Sequence, residues 1–516
     1  MLWGSNARET HPIFFHHVLK AVRKGARLYV VDPRRTSSAE WSEGWLRVEV
    51  GADVALANGI ANVILSEGLE HKAFIANATE NFEAFKTLVG RYDLARTSKL
   101  TGIAPEMIQK VARDYATADR AMICWTLGIT EHHNAVDNVL SLINLGLLTG
   151  HVGRWGSGLN PLRGQNNVQG GGDSGALPHK LPGFQDVDDA AVHTRYEKLW
   201  KKKFPAKKGW HLTEMFEAME HGHMRALFVL GENPAQSEAD ATRCRKLLEG
   251  LEFLLVQDIF LTRTAEMADV VLPGSASFCE AEGTVTNSER RVQRVRKSIE
   301  PPGAARDDIW ILCELSKRLG YDLALPNAQA AWDEMRLLSP MHHGMSYERL
   351  EKLGGIQWPC PDESHPGSPF LHGRLWETPM RGMKAGFHPA EDVPPAEKLD
   401  ARFPLRLTTG RRLDSYNTGV QSGGYASPRR LRETIDLSPA DMQSLGLAEG
   451  ERVRIVSRRG AVEAPARVDP GLKQGLVFMT LHFPEQVDVN LLTIDATDPR
   501  SGTAEFKAAA VRVEKL

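Results

Sequence analysis

The stretch VVDPRRTSSAE, Val30 to Glu40, decides how the chain is read, because it returns as VQDIFLTRTAE, Val256 to Glu266. Both copies obey D-x-x-x-T-x-x-A-E, with Asp32, Thr36, Ala39 and Glu40 set against Asp258, Thr262, Ala265 and Glu266. Working backwards, each copy opens on a strand that runs into a Gly-x-Asn loop: Leu2-Trp3 into Gly4-Ser5-Asn6, and RALFVL into Gly231-Glu232-Asn233. Gly4 lies 28 positions before Asp32, and Gly231 lies 27 before Asp258. In the first copy the intervening HPIFFHHVLKAVRKGA has a helical pattern closing on Gly25, and ARLYVVD is an apolar strand ending at its acid. Strand, glycine loop, helix and strand ending in an acid make half of a nucleotide-binding α/β fold. Shared topology does not demand the same loop, spacing and post-acid residues, so one half-domain occurs twice.

A Gly-x-Asn loop lets backbone amides approach a phosphate, and an acid at a strand end can accept hydrogen bonds from a ribose or a purine edge. The glycine-rich dinucleotide fingerprint is absent, which disfavours an ordinary NAD site. Two copies call for two nucleotide-bearing ligands, or for one ligand with two nucleotide ends.

Bulk properties narrow the class. A length of 516 residues suggests about three to four domains. A hydrophobic content of 42% with 25% charged residues is ordinary globular material. The net charge of −2 gives no field for nucleic acid or an acidic membrane, and the basic run Lys198–Lys208 reads as a solvated surface insert. The five cysteines (Cys124, Cys244, Cys279, Cys313, Cys360) are scattered without a C-x-x-C, against a disulfide framework and against an iron–sulfur or zinc site held by this chain alone. With no apolar run of membrane length and no leader at residue 1, reduced thiols point to a cytoplasmic protein.

Between the copies, a helix over Asn138–Thr149 is expected to end at Gly150. LRGQNNVQGGGD then presents Arg163, Gln165, Asn166, Asn167, Gln169 and Asp173 among glycines. Neutral amides offer paired donors and acceptors suited to a planar heterocycle. Arg163 can clamp a carboxylate or another small oxyanion with two parallel N–H bonds.

GSNxxExHP, VVDPRRT, LLTGxxGxxGxGxNPxRGQNNVQG, GENP and EGTVTNSERRVQ (Glu282 to Gln293) together resemble the large subunit of molybdopterin oxidoreductases, specifically formate dehydrogenases, along the whole chain. NPLRGQNNVQG is the element that sets this resemblance apart from nitrate reductases and dimethyl-sulfoxide-type enzymes. It implies two related Rossmann-like α/β domains around a pseudo-two-fold, plus a C-terminal six-stranded β-barrel of double-psi type. The expected division is 1–150 and 151–345 for the α/β domains, 346–400 for a linker or covering loops, and 401–516 for the barrel. The implied cofactor is bis-molybdopterin guanine dinucleotide with molybdenum or tungsten. Asn6, Asp32, Arg34 and Asp53 would hold one dinucleotide, and Gly231, Asn233 and Asp258 the other. Gln165 would contact a pterin, Thr286 and Asn287 lie in a similar turn, and Arg163 would orient formate as the catalytic residue.

In the C-terminal region, PLRLTTGR reads as a strand, Ser438-Pro439-Ala440-Asp441 as a capped helix start, and ERVRIVSRRGAVEAPARV as a hairpin turning at Arg459-Gly460. Its candidate ligands are Thr409, Arg411, His482, Asn490 and Lys507, the last able to neutralise a phosphate. Where the family often carries a histidine after the TTGR turn, this chain has Asp414-Ser415-Tyr416. The adjacent pairs His16-His17, His132-His133 and His342-His343 do not suit one metal ion, since neighbours in a strand or helix diverge. They read as core or surface residues, with His132 set near a pterin-side loop.

In the family a protein Cys or selenocysteine binds the metal, a histidine beside it assists, and an iron–sulfur cluster in a Cys-rich N-terminal segment passes electrons to a partner subunit or acceptor. Neither segment precedes the GSN strand here. The expectation is therefore a fragment that does not oxidise formate alone, arising from a frameshift, a late start or a selenocysteine codon read as a stop. The contrasting expectation is a non-catalytic, cofactor-free scaffold subunit of a redox complex.

Overall fold

The computed structural model describes residues 1–413, 415–417 and 432–516; Asp414 of the Asp414-Ser415-Tyr416 departure lies outside the described residues. The chain forms two compact units, neither continuous in sequence: Met1–Leu162, Gln236–Cys244 and Phe370–Leu516 make the first, Arg163–Ala235 and Arg245–Pro369 the second.

The first unit holds a parallel sheet of β1 (Leu2–Trp3), β2 (Tyr29–Val31), β3 (Gly44–Leu46), β4 (Met122–Trp125) and β5 (Gly158–Pro161), in the order β3-β2-β1-β4-β5. Two residues suffice for the central strand because both edges are paired: Leu2 lies between Val30 and Cys124, and Trp3 between Val31 and Trp125. Successive side chains of a strand point to opposite faces. Trp3, Val31, Leu46 and Trp125 therefore enter the core shared with helices Asp53–Ser66, Pro105–Thr117 and Ala135–Thr149. Leu2, Val30 and Cys124 face Phe15 of the helix Pro12–Arg23 on the other side. Each such buried side chain contributes about 1.5–3 kcal/mol, which fixes the register against a one-residue slip. The helix before Gly150 begins at Ala135, a turn sooner than its apolar pattern suggests, and Gly150 closes it in the left-handed region at φ 68°. β5 extends this sheet past residue 150.

The second unit carries β6 (Ala226–Leu230), β7 (Phe253–Asp258) and β8 (Val270–Pro273), parallel in the order β8-β7-β6. A separate antiparallel sheet follows, of β9 (Gly283–Thr286), β10 (Arg291–Val295) and β11 (Ile356–Gln357).

The sequence repeat is a structural repeat, bond for bond. Gly4 (φ 55°) donates its N–H to Val31 O at 2.8 Å, and Gly231 (φ 63°) donates to Gln257 O at 2.8 Å. Asn6 Oδ1 accepts from Ser38 N at 3.2 Å and Ser38 Oγ at 2.9 Å; Asn233 Oδ1 accepts from Thr264 N at 3.1 Å and Thr264 Oγ1 at 2.8 Å. The same hydroxyls accept from Arg8 N at 2.9 Å and Ala235 N at 3.0 Å. Asp32 Oδ1 takes the Arg34 amide at 3.0 Å, and Asp258 Oδ1 takes the Phe260 amide at 2.9 Å. Thr36 and Thr262 accept from Ala39 N and Ala265 N at 3.4 and 3.1 Å. Each Asn thus ties its loop to the segment after the acid. Asn6→Ala and Asn233→Ala should each cost about 1–3 kcal/mol in urea unfolding of the cofactor-free chain, by stranding a buried amide and hydroxyl. A neutral result at either position would break the equivalence.

Residues 346–400, expected as a linker or cover, are packed structure. Tyr347, Leu350, Ile356 and Cys360 join a core with Trp332 in the second unit. In the first, Phe387 stacks on Phe85 with centroids 4.8 Å apart, and Trp376 Nε1 donates to Val152 O at 2.7 Å.

The first unit also contains a closed barrel of β12 (Leu405–Gly410), β13 (Ile435–Leu437), β14 (Arg452–Val456), β15 (Ala461–Val468), β16 (Leu476–Thr480) and β17 (Ala509–Lys515), in the order β12-β16-β13-β15-β14-β17. β12 with β16 and β13 with β15 are parallel, and the other neighbours antiparallel. Leu407, Ile435, Val453, Ile455, Val477 and Met479 fill its interior. Ser438 caps the helix Pro439–Ser444 by accepting from Asp441 N at 3.1 Å. Among the described residues no helix is long and apolar enough to cross a membrane.

Candidate cofactor and substrate site

In an open parallel sheet, ligands bind beyond the strand ends where the strand order reverses. In the first unit that point lies between β1 and β4. Their loops meet backbone to backbone: a Cβ on Gly4 would sit 2.7 Å from Gly128 C, and one on Gly128 would sit 2.5 Å from Gly4 O. Thr126 Oγ1 adds a bond to Gly4 O at 2.7 Å.

Several predicted residues converge there. Among the described residues nothing partners the buried Nδ2 of Asn6 or the Ser5 hydroxyl beside it. Burial pushes Asp32 up to about 6 against the opposing Arg34 charge and amide. The Arg34 guanidinium lies 3.5 Å from the centroid of Phe478 on β16, a cation–π contact. Asp53, buried at the start of its helix, accepts from Trp3 Nε1 at 2.7 Å, so one of its oxygens already serves the core. Burial raises its pKa, and His132 lowers it.

Lys507 is buried rather than a surface residue: its ammonium lies 2.6 Å from Glu131 Oε2 and 3.5 Å from Thr409 Oγ1, which itself donates to Phe506 O at 3.0 Å. His132 and His133 sit in a turn, not a helix, and both reach one carboxylate: Glu505 Oε1 lies 3.5 Å from His132 Nδ1 and 2.8 Å from His133 Nδ1. The pair thus meets an anion instead of diverging. Burial alone would raise Glu505, but His132 and His133 hold it at about 2, while the Glu505 bond raises His133. A depressed carboxylate stabilises above its unfolded value of 4.5, and a raised histidine stabilises below its value of 6.5. Glu505→Gln should therefore lose most stability, roughly 3 kcal/mol, between about pH 4.5 and 6.5, and less outside that window, in denaturant titrations across pH. A pH-independent difference would exclude this coupling.

Three barrel candidates are engaged otherwise or stand apart. Asn490 spends its Nδ2 on the Gln236 and Ser237 carbonyls at 2.9 and 3.1 Å. Arg411 is half-buried and makes no side-chain hydrogen bond or ion pair among the described residues. His482 is buried and accepts from Arg412 N at 2.9 Å.

In the second unit, Gly231, Asn233 and Asp258 form the matching loop and strand end. The amide loop is anchored by Asn167, whose Oδ1 accepts from Thr286 N at 2.9 Å. Gly170 must stay bare here, since a Cβ would lie 2.0 Å from Asn167 Oδ1. Asn287 Oδ1 closes the β9–β10 turn on Glu289 N and Arg291 N, both at 3.0 Å. Gln165 and Asn166 are left without a side-chain hydrogen bond among the described residues, available to a heterocycle. Arg163 is exposed; its N–H donates to Ser288 Oγ at 2.9 Å and its Nη2 to Gln169 Oε1 at 3.3 Å. His342 is a core residue, and burial lowers it to about 4. The described residues contain no group of three or more His, Cys, Asp or Glu arranged to hold a metal ion.

Sequence reasoning missed Ser38, Thr264, Gly128, Glu131, Glu505 and Phe478. For Ser38 and Thr264 a signal existed: both are hydroxyl residues six positions after their acids. The orphaned Asn6 and Ser5 groups, the bare Gly4–Gly128 approach and the anion-ready Arg34 fit a dinucleotide at the first unit's strand ends.

Two Rossmann-like halves and a closed six-stranded barrel define a class, and known proteins agree. Residues 1–318 match the family described as "Molybdopterin oxidoreductase", and residues 405–510 match "Molydopterin dinucleotide binding domain". The chain belongs to the molybdopterin oxidoreductase family. It is 42% identical over 521 residues to F420-dependent formate dehydrogenase 2 subunit alpha of Methanococcus maripaludis, covering 100% of this chain and 76% of that one. It is 37% identical over 521 residues to formate dehydrogenase H of Escherichia coli, covering 100% of this chain and 72% of that one. Acetylene hydratase from Pelobacter acetylenicus shares the fold at a TM-score of 0.75 and 21% identity, covering 100% of this chain and 77% of that one.

Proposed function

We propose that the chain is the large subunit of a molybdenum or tungsten formate dehydrogenase, oxidising formate to carbon dioxide and passing the electrons to a partner subunit or acceptor. The observation that carries this reading is Arg163: an exposed guanidinium in a loop of neutral amides, its Nη2 bonded to an uncharged Gln169. The names of the relatives above support the substrate. In this reading Asn6, Asp32, Arg34 and Asp53 hold one guanine dinucleotide, and Gly231, Asn233 and Asp258 the other. In the second unit Gln165 and Thr286 remain pterin-side candidates, in the first unit Thr409 and Lys507 remain phosphate-side candidates, and cysteines scattered without a C-x-x-C favour a reducing, cytoplasmic setting.

When bound, the metal–pterin group supplies the two-electron acceptor for HCOO⁻ → CO₂ + H⁺ + 2 e⁻. The protein's own part is recognition. Formate presents two oxygens that match the guanidinium fork, so Arg163 can hold it by two charge-assisted bonds and aim its C–H. Carbon dioxide is neutral and linear, so the same grip fails after oxidation and the product leaves. The test is the holoenzyme purified from its source organism: molybdenum or tungsten, guanine dinucleotide and formate-dependent dye reduction are expected. Absence of both metal and dinucleotide would instead indicate a scaffold.

A further inference from the structure

Beyond Arg163 lies a chain of polar side chains that no step above uses. Gln169 and Asp173 sit one turn apart on the helix Val168–Asp173. Arg163 Nη2 donates to Gln169 Oε1 at 3.3 Å, and Gln169 Nε2 donates to Asp173 Oδ1 at 2.8 Å. Asp173 is 2% exposed, and its other oxygen accepts from Trp358 Nε1 at 2.8 Å. Its backbone carbonyl takes the amides of Gly183 and Phe184 at 2.7 and 3.1 Å. His342 Nε2 stands 3.8 Å from Asp173 Oδ2, while its Nδ1 meets Ser339 Oγ at 2.7 Å.

The chemistry of the ends dictates the middle. A guanidinium only donates and a carboxylate only accepts, so the amide between them has one allowed orientation, oxygen to Arg163 and nitrogen to Asp173. A direct Arg–Asp pair would spend the guanidinium charge inside the protein. An interposed amide holds the arginine by an uncharged bond instead of a direct carboxylate contact.

We propose that Gln169 and Asp173 are positioning residues, which aim the Arg163 guanidinium at a small carboxylate through an uncharged link. This rests on the formate reading. Asp173, pushed up to about 6 chiefly by burial, carries its charge at neutral pH. The groups facing it are Gln169, Trp358, His342 and Arg163.

The test compares Gln169→Leu, Gln169→Glu and Asp173→Asn by formate kinetics of the holoenzyme and by calorimetric titration of the full chain with sodium formate. Gln169→Leu should raise the formate KM and Kd about tenfold and leave kcat within about threefold. Gln169→Glu should be weaker still, because its carboxylate would pair with the Arg163 guanidinium directly and compete with formate for it. A purely structural role predicts the reverse, with the charged residue no worse than leucine in substrate binding. Should Asp173→Asn fail to fold, the two Gln169 variants decide alone. Unchanged KM and Kd in Gln169→Leu, or Gln169→Glu binding formate as well as Gln169→Leu, would overturn the proposal. A wild-type holoenzyme that neither turns over nor binds formate would overturn the formate reading itself, and this proposal with it.

Discussion

Replacing Arg163 by alanine is expected to lower kcat/KM for formate by about a thousandfold in the holoenzyme, with metal and dinucleotide content unchanged. Removing one preorganised donor to a reacting oxyanion costs about 10²–10³ in rate, and here the loss includes the charge that this reading aims at the substrate. Arg163→Lys should recover a small part. A lysine restores the point charge but not the planar fork, so the carboxylate can be attracted without being oriented. Because Arg163 is exposed and its backbone N–H bond to Ser288 survives truncation, stability should change by less than about 0.5 kcal/mol. The decisive numbers are steady-state constants for wild type, Arg163→Ala and Arg163→Lys at equal metal loading. An alanine variant within tenfold of wild type would remove Arg163 from the active site and with it the observation on which the formate reading rests.

What could be read from the sequence was what repeats locally. The Gly-x-Asn loop, the strand-end acid and the threonine after it stand at fixed offsets, so Asp32 and Asp258 could be paired before their bonds to Arg34 N and Phe260 N were known. The hydroxyls of Ser38 and Thr264 belong to the same register, but hydroxyls are common and only the shared asparagine contact marks them out. Long-range encounters left no local trace. Glu505 meets His133 across 372 positions, and nothing in either segment names the other. Adjacent histidines diverge on a helix, yet an irregular turn lets both imidazoles face one carboxylate. The Pro- and Gly-rich tract before the barrel reads as a linker by composition; its buried Phe387 and half-buried Trp376 show that its aromatic residues, not its breakers, determine where it goes. Lys507 illustrates the same limit, since a lysine near a chain end is ordinarily exposed and its ion pair with the distant Glu131 accompanies its burial.

Gly128→Ala is expected to be the most damaging small substitution in the first unit, costing about 3 kcal/mol in chemical denaturation and most of the bound dinucleotide. The added methyl would lie 2.5 Å from Gly4 O and 2.6 Å from Gly4 Cα. Those are backbone atoms, so no side-chain rotation relieves the clash. Gly4 cannot retreat easily either: its N–H is bonded to Val31 O, its carbonyl takes Thr126 Oγ1 and Gly128 N, and β1 is held on both edges. The loops must therefore separate at the point where the strand order reverses, and the unpartnered Ser5 and Asn6 groups move with them. Gly283→Ala is the control, since its added methyl would have nothing within 4 Å; it should stay within about 0.5 kcal/mol of wild type. The informative comparison is guanine dinucleotide retained per folded chain. A Gly128→Ala protein that is destabilised but keeps its full complement would place the dinucleotide elsewhere than on the Gly4–Asn6 loop. Loss of dinucleotide with a folded second unit would tie that loop, and by the bond-for-bond repeat the Gly231–Asn233 loop, to the same kind of ligand.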